Sequence, residues 1–544
     1  MIVSASVTAP ISESPEAPPV PVAGSPRRAL WMLALYGLLA MLVIPVFPHF
    51  PSPNEFSRWA LTVSIVERGS FEVSPLTNLI SDRIEDFSEV HGRLYSNKAP
   101  GGSLVAVPAY ALARTIVGPP SASNLRATIT AMRMAVSTLP LVLLTLAFIR
   151  HARHLQIAPE RITFAVAVLL FGTPIFAYGM MLFSHVLTAA ALFGAWLLLF
   201  GRLSEDARLR PATRDLAAGA LLGLAAISEY PTAVPAAVLA LCAWRGRGLR
   251  CLVRVAAGVL PLIATLALYN HFAFGSAFAL SSSFEHVAAF QQMSQSGLWG
   301  VGLPSPTRAA RLLFDPGKGL LIFSPVLVVA LMAIPAARRG LPSAAFWSLV
   351  LTPLALLLVY AGYANWHGGW TVGVRYLVPC LPFLAFLILL GRPRIIDAPL
   401  LGASVAAVVL TSLVFPFVSG AYAFPWASFA TPLLAKGLVA PNLLHLVSRS
   451  LAVAVPFAIV AAALVLTFEP RRFVLMTAGL VGWVMIGFLG VATFSPNTDG
   501  SRWYVERVYF EQPGDPGDPA PSADAPITRK MERDLATLPS TWPF

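Results

Sequence analysis

Long apolar stretches alternate with short basic ones almost from end to end of this chain. A first apolar run covers about residues 30–50. Others begin near Thr128, Ile162, Leu182, Asp215, Thr232, Val255, Gly319, Ser343, Tyr376, Pro399, Ser450 and Phe473. Most are near the length at which a helix crosses about 30 Å of hydrocarbon. The pattern predicts an all-α polytopic membrane protein with about 13 transmembrane helices. Some pairs, such as 162–180 with 182–201, form tight hairpins. A porin-like barrel is excluded, because its strands alternate in much shorter units.

The charges orient this array. With the N-terminus inside, the inner loops carry Arg150, Arg153 and Arg161, then Arg202, Arg208, Arg210 and Arg214. Arg245, Arg247, Arg250 and Arg254 follow, then Arg338 with Arg339, Arg392 with Arg394, and Arg471 with Arg472. The other side receives three longer polar segments, 51–127, 273–318 and 418–448, in which acids and bases mix. Such asymmetry places the basic loops in the cytoplasm. The expected organisation is a disordered cytoplasmic tail over 1–28, a transmembrane domain over 29–493 and an outer, largely disordered tail over 494–544. That tail contains the run PGDPGDPAPSADAP. An odd number of spans puts the C-terminus outside, in a multi-pass protein of the plasma (inner) membrane.

Composition agrees. Of 544 residues, 56% are hydrophobic and 12% charged, against about 25% charged in soluble domains. The mean hydropathy of +0.71 leaves too little polar surface for several soluble domains. The net charge of +12 sits in clusters at span ends, which assigns it to membrane topology and not to nucleic acid. Cys242, Cys251 and Cys380 lie in or beside apolar segments, so neither a structural disulfide nor a zinc site is expected.

Candidate chemistry gathers in the outer segments. Ser52 to Arg68 reads as a helix in the interface plane, with Phe56, Trp59, Ala60, Val63 and Val66 on one face and Glu55, Arg58 and Thr62 on the other. Glu55 fits a capping box with Ser52 as well as a chemical role. Asp82, Glu85, Asp86 and Glu89 fall at i, i+3, i+4 and i+7, a solvated helical face or a site of metal or acceptor contact. The stretch His91 to Ser103 sets Lys98 beside Pro100-Gly101-Gly102 and leads into an amphipathic stretch over 103–117. A positive side chain and free backbone N–H groups at such a turn suit a phosphate.

Farther along, His185, Glu229 and the run Tyr269-Asn270-His271 sit in apolar context. Tyr363-Ala364-Asn365-Trp366-His367-Gly368-Gly369-Trp370 precedes Arg375-Tyr376 at the mouth of a span. Ionisable residues at span ends are functional candidates, with snorkelling to headgroups as the competing explanation. Trp366, Trp370 and Tyr376 form either an interfacial aromatic belt or a platform for a sugar.

These residues resemble the GT-C membrane glycosyltransferases. Within them, they resemble the bacterial relatives of the protein O-mannosyltransferases (glycosyltransferase family 39-like) and of the lipid A aminoarabinose transferases. The similar features are Pro53-Asn54-Glu55-x-x-Arg58, Tyr95-Ser96-Asn97-Lys98-Ala99-Pro100-Gly101, Tyr269-Asn270 with Phe274-Gly275, Gly319 to Pro325, and Trp366-His367-Gly368-Gly369 with Arg375-Tyr376. In order along the chain they cover about 45–390.

The resemblance implies transfer of a sugar from a polyprenyl-phosphate carrier to a lipid, glycan or protein acceptor at the outer leaflet. It implies a carboxylate base, Glu55 or Asp86. Cations for the donor phosphate would be Lys98, Arg375 and Arg58, and substrate contacts Tyr95, Asn54, Trp366, His367 and Tyr376. No nucleic acid is implied as a partner, membrane lipids are, and the need for a divalent metal stays open. Two departures stand out. Asn54 occupies the place where the family commonly has Asp, and no sizeable C-terminal soluble domain is expected. A transporter or lipid flippase is the rival class, although no internal repeat is visible and the polar residues crowd one face. A non-catalytic relative is the third reading.

Overall fold

The computed structural model describes residues 26–46, 52–79, 86–121, 123–201, 209–420 and 422–494. The expected terminal tails fall almost wholly outside the described residues, as do Asp82, Glu85, Arg202 and Arg208. Within those residues the protein is helical, with one two-stranded hairpin. Helices occupy the expected apolar stretches. Five are long and apolar enough to cross a membrane: Leu125–His154, Leu249–Phe274, Ser343–Gly362, Asp397–Val414 and Pro470–Thr493. Several others, including His185–Phe200 and Arg449–Val465, are apolar but shorter.

Burial sorts the long helices. The apolar window of Asp397–Val414 is 83% buried, whereas those of Leu249–Phe274 and Pro470–Thr493 are 17% and 11% buried. The first is central. The other two present Leu260, Phe272 and Leu489 outward, as apolar helices do toward lipid. Small residues bring helix backbones together: Gly219 lies against Val255 and Gly258, and Gly402 against Met476. Lipid gives little hydrophobic drive for helix association, so such close packing supplies much of it.

At the ends expected to face the cytoplasm, acids tie the basic loops. Asp215 is buried and accepts from Arg247 Nη2 at 2.6 Å, with Arg254 Nη1 3.8 Å away. Arg161 Nη1 donates to Asp397 Oδ2 at 2.7 Å.

The first long polar segment, expected on the outer side, is built around α2, Pro53–Arg68, which follows α1, Arg27–Leu42. Ser52 caps α2, Pro53 opens it, and Gly69 closes it in the left-handed region. The helix lies deeper than a position in the interface plane implies. Every residue from Asn54 to Ser64 is buried, polar face included. Its apolar face joins a second core of Phe56, Trp59, Phe87, Tyr95, Ile129, Tyr269 and Phe274. This outer segment therefore shares its core with span residues.

Residues 86–96 differ from the helical reading of the acidic spacing. Phe87–Val90 (β1) pairs antiparallel with Arg93–Ser96 (β2), in the register Phe87↔Ser96 and Val90↔Arg93. The turn between them is His91-Gly92, both at positive φ (51° and 75°), which suits a two-residue hairpin. Asp86 thus precedes a strand and Glu89 lies within it. Helix α3, Gly101–Val117, follows as expected from the amphipathic stretch.

A later polar segment, residues 281–286, docks on this hairpin. His286 N–H donates to Phe87 O at 2.9 Å and Ser88 bridges Glu285. Ser88 Oγ donates to Ser281 O at 2.7 Å, and Ser281 Oγ to Asn97 O at 2.8 Å.

Candidate functional site

Two polar clusters grow from this framework. The first hangs beneath α2. The Ser52 hydroxyl accepts from Glu55 N–H at 3.4 Å, which is half of the capping box. The Glu55 side chain does not return to Ser52. Arg133 donates to it through Nε (3.1 Å, Oε1) and Nη2 (3.2 Å, Oε2), and Leu182 N–H also donates to it. Both side chains are buried.

One turn along, buried Arg58 donates from Nε to Ser184 Oγ at 3.0 Å and from Nη2 to Glu229 Oε1 at 2.9 Å. Its Nη1 donates to the Asn54 carbonyl at 3.2 Å and to Asn54 Oδ1. His185 Nδ1 stands 3.4 Å from the same Glu229 oxygen. Gly102 makes room for the Arg58–Ser184 contact, since a Cβ there would strike the Ser184 hydroxyl. Glu55, Arg58 and Asn54 are therefore tied into buried networks, as buried charges must be.

The second cluster lies at the hairpin base. Lys98 Nζ is 3.1 Å from Asp86 Oδ1, with the two side chains 17% and 20% exposed. Asn97 Nδ2 donates to Glu285 Oε2 at 2.7 Å. Burial works to raise the Asp86 carboxyl, but Lys98, Arg375 and the Asn97 hydrogen bond outweigh it and hold it below the usual carboxylate range. Glu285 goes the other way. Burial dominates, helped by the Asp86 charge, and pushes it up to about 7 despite Lys98 and Asn97. The same surroundings separate two carboxyls, a pattern typical of acid–base sites.

Arg375 completes the arrangement. Its guanidinium carbon sits 5.8 Å from the Phe183 ring centre and 5.0 Å from that of Tyr376, and Nη2 donates to Tyr376 Oη at 3.4 Å. Buried Nε has no partner. Among the described residues, no carboxylate lies within ion-pair distance of Arg375. Gly368, at φ 68°, packs against it where a Cβ would be 3.1 Å from Nε.

Tyr376 is buried and stacks on Tyr360 at 4.3 Å, so it does not belong to an interfacial belt. Trp366 is half-buried under Arg311, at 5.7 Å. His367 is exposed, and its Nδ1 accepts from Gly369 N–H at 3.3 Å. Beneath that loop, buried Lys318 donates through Nζ to Gly369 O and lies 3.4 Å from both Thr371 oxygens. Burial, seconded by Arg375, lowers the Lys318 ammonium to about 7, against the pull of Asp315.

The fold thus gathers Asp86, Lys98 and Arg375 near enough for both cations to act on the carboxylate. Tyr95 is 9% exposed, with its ring against Phe274. Sequence reasoning did not single out Glu285, Lys318 or Arg133. A signal existed for the first, which is the only acid between Glu229 and Asp315. Lys318 is one of four lysines, with Lys98, Lys436 and Lys530, and the inner basic clusters contain arginine alone. Among the described residues, no three His, Cys, Asp or Glu side chains gather as a metal site. The three cysteines are free.

No protein-family profile matches the chain, and no curated protein matches it. Among solved structures, it is similar to the oligosaccharyltransferase AglB of Archaeoglobus fulgidus in complex with an inhibitory peptide and a dolichol-phosphate. That similarity is 14% identity and a TM-score of 0.41, over 95% of this chain and 61% of that one. The oligosaccharyltransferase of the same organism in its apo form gives 12% and 0.35 over the same shares. Its form tethered to an acceptor peptide gives 14% and 0.39. The chain thus spans less than two thirds of the length of these proteins. At TM-scores below 0.5 such a superposition establishes neither a shared fold nor a shared activity.

Proposed function

We propose that this protein is a GT-C-type membrane glycosyltransferase of the plasma membrane, with about 13 spans. It transfers a sugar from a polyprenyl-phosphate carrier to an acceptor at the outer face. The observation that carries this reading is the partly exposed Asp86 carboxylate, 3.1 Å from Lys98 Nζ and held low by the added charge of Arg375, a cation that lacks a carboxylate partner among the described residues. A phosphate leaving group and an attacking hydroxyl need those two groups.

In the proposed step the acceptor oxygen bonds to the anomeric carbon and its proton passes to Asp86. The bond from that carbon to the carrier's phosphate oxygen breaks, and its electron pair leaves on the phosphate beside Arg375. One carboxylate suffices for this single inversion. Lys98 holds Asp86 ionised and lies next to the phosphate. Arg58, with Asn54 and Glu229, braces the floor, and Tyr376, Trp366 and His367 flank the donor. Glu55 is assigned to the buried brace with Arg133, which leaves the base to Asp86.

The test is turnover of a labelled polyprenyl-phosphate sugar by purified protein, with Asp86→Asn and Arg375→Ala alongside. Movement of the lipid across vesicles without turnover would instead indicate a flippase. Orientation is checked by thiol labelling of intact spheroplasts. A cysteine at exposed Thr115 is expected to react from outside, and one at exposed Gly340 is not.

A further inference from the structure

We propose that Asp86, Asn97 and Glu285 form the acceptor subsite and recognise a saccharide through two neighbouring hydroxyl groups. The proposal rests on the reading of Asp86 as the base. It begins with hydrogen-bond supply. At the hairpin base Lys98 Nζ lies 3.1 Å from Asp86, and Asn97 Nδ2 donates to Glu285 at 2.7 Å. At the other end of the same amide, Asn97 Oδ1 has no partner, although Asn97 is only 7% exposed. A buried polar atom without a partner is costly and calls for a donor. That oxygen is the unmet acceptor, so what binds here should bring an O–H or N–H group to it.

Charge narrows the choice. Lys98 offsets Asp86, Arg375 adds a positive field, and burial pushes the Glu285 carboxyl up to about 7, which weakens its charge near neutrality. No net negative charge is left to draw a metal ion or an ammonium group, so neutral hydroxyls fit best. The acceptors are also held rigidly. Asp86 immediately precedes β1, Asn97 follows β2, and Glu285 is fixed to the hairpin by the Ser88 bridge and the Ser281–Asn97 bond. A vicinal diol sets one hydroxyl on Asp86 for attack, while its neighbour donates to Asn97 Oδ1 and lies beside Glu285. A serine or threonine side chain brings one hydroxyl and, with that hydroxyl on Asp86, leaves Asn97 Oδ1 unmet.

The experiment uses the full chain in detergent. The probes are methyl mannopyranoside and methyl galactopyranoside, each with monodeoxy analogues that break the diol, and binding is read by saturation-transfer NMR. The intact glycoside of at least one pair should bind about tenfold better than its deoxy analogue, the worth of about one hydrogen bond. Glu285→Gln and Asn97→Ala should each reduce that ratio toward one. In turnover, Glu285→Gln should raise the acceptor KM by a similar factor while donor affinity stays unchanged.

Equal binding of both members of every pair by the wild type overturns the subsite. So does an unchanged acceptor KM in Glu285→Gln, or a serine peptide that competes as well as the diol. Diol discrimination together with full turnover in Asp86→Asn supports the subsite and removes the reading of Asp86 as the base.

Discussion

Arg133 clasps the Glu55 carboxylate with two hydrogen bonds, at 3.1 and 3.2 Å, across 78 residues of sequence. Neither side chain is more than 2% exposed, so the pair fastens the start of α2 to the helix Leu125–His154. Removing one partner of such a pair strands a buried charge, at a cost of about 3–5 kcal/mol. Glu55→Gln and Arg133→Met should each lower the thermal unfolding temperature in detergent. The double variant should recover part of the loss, and Glu55→Gln should keep most activity per folded molecule. Single variants as stable as the wild type, with turnover abolished, would return Glu55 to the role of base.

Asp86→Asn keeps the size and removes the charge. Turnover should fall by about a hundredfold or more, with thermal stability close to wild type. The pH dependence is more discriminating. The folded Asp86 carboxyl lies below its usual range, so it stays ionised through neutral and mildly acidic pH and is protonated only as pH falls further. In Lys98→Ala the upward push of burial loses its main opponent, and the acid limb of the rate profile should move toward neutrality. A limb that stays in place would detach Lys98 from the carboxylate.

The apolar helices were readable because crossing lipid demands long apolar stretches, and the Arg clusters between them are what the expected orientation rests on. α2 was readable from Ser52, Pro53 and its amphipathic spacing, but not its depth. Amphipathicity says that a polar face exists and cannot say that Arg133, Ser184 and Glu229 cover it. Asp86 and Glu89 sit at helical spacing yet belong to a hairpin of four-residue strands, too short for periodicity to decide. The better signal was His91-Gly92, a turn pair. Glu285 reaches Asn97 from 188 positions away, and no local pattern encodes a meeting of that kind.

Lys318 offers a test of the loop that carries Trp366 and His367. Its folded ammonium is lowered to about 7 from the ordinary 10.5. Between those values the unfolded chain binds the extra proton, so this residue makes stability rise with pH across that window. Below it both states are protonated and the cost of the buried cation is fully present. Relative to a Lys318→Met variant, the wild type should gain thermal stability between pH 7 and pH 10. A difference independent of pH would show that the ammonium keeps an ordinary affinity for its proton.

Arg375 sits between the Phe183 and Tyr376 rings, with buried Nε unpartnered and no carboxylate pair among the described residues. An arginine flanked by aromatics and left without a counter-ion is poised for an anion, and its planar fork matches phosphate oxygens in a bidentate manner. Arg375→Ala should weaken binding of the polyprenyl-phosphate donor and slow its turnover, for a combined loss of about 2–4 kcal/mol. Arg375→Lys keeps the charge but loses the fork, and it should fall between the two. Lys98 is engaged with Asp86 at 3.1 Å, so Lys98→Ala should change the pH profile more than donor affinity. Where both touch one phosphate, the double variant should lose less than the sum of the single losses or more than it, and not the sum itself. Donor affinity is measured by competition with an unreactive polyprenyl phosphate, which separates binding from chemistry. Unchanged affinity in Arg375→Ala would leave the residue as a packing element of the Phe183–Tyr376 wall and move the phosphate site elsewhere.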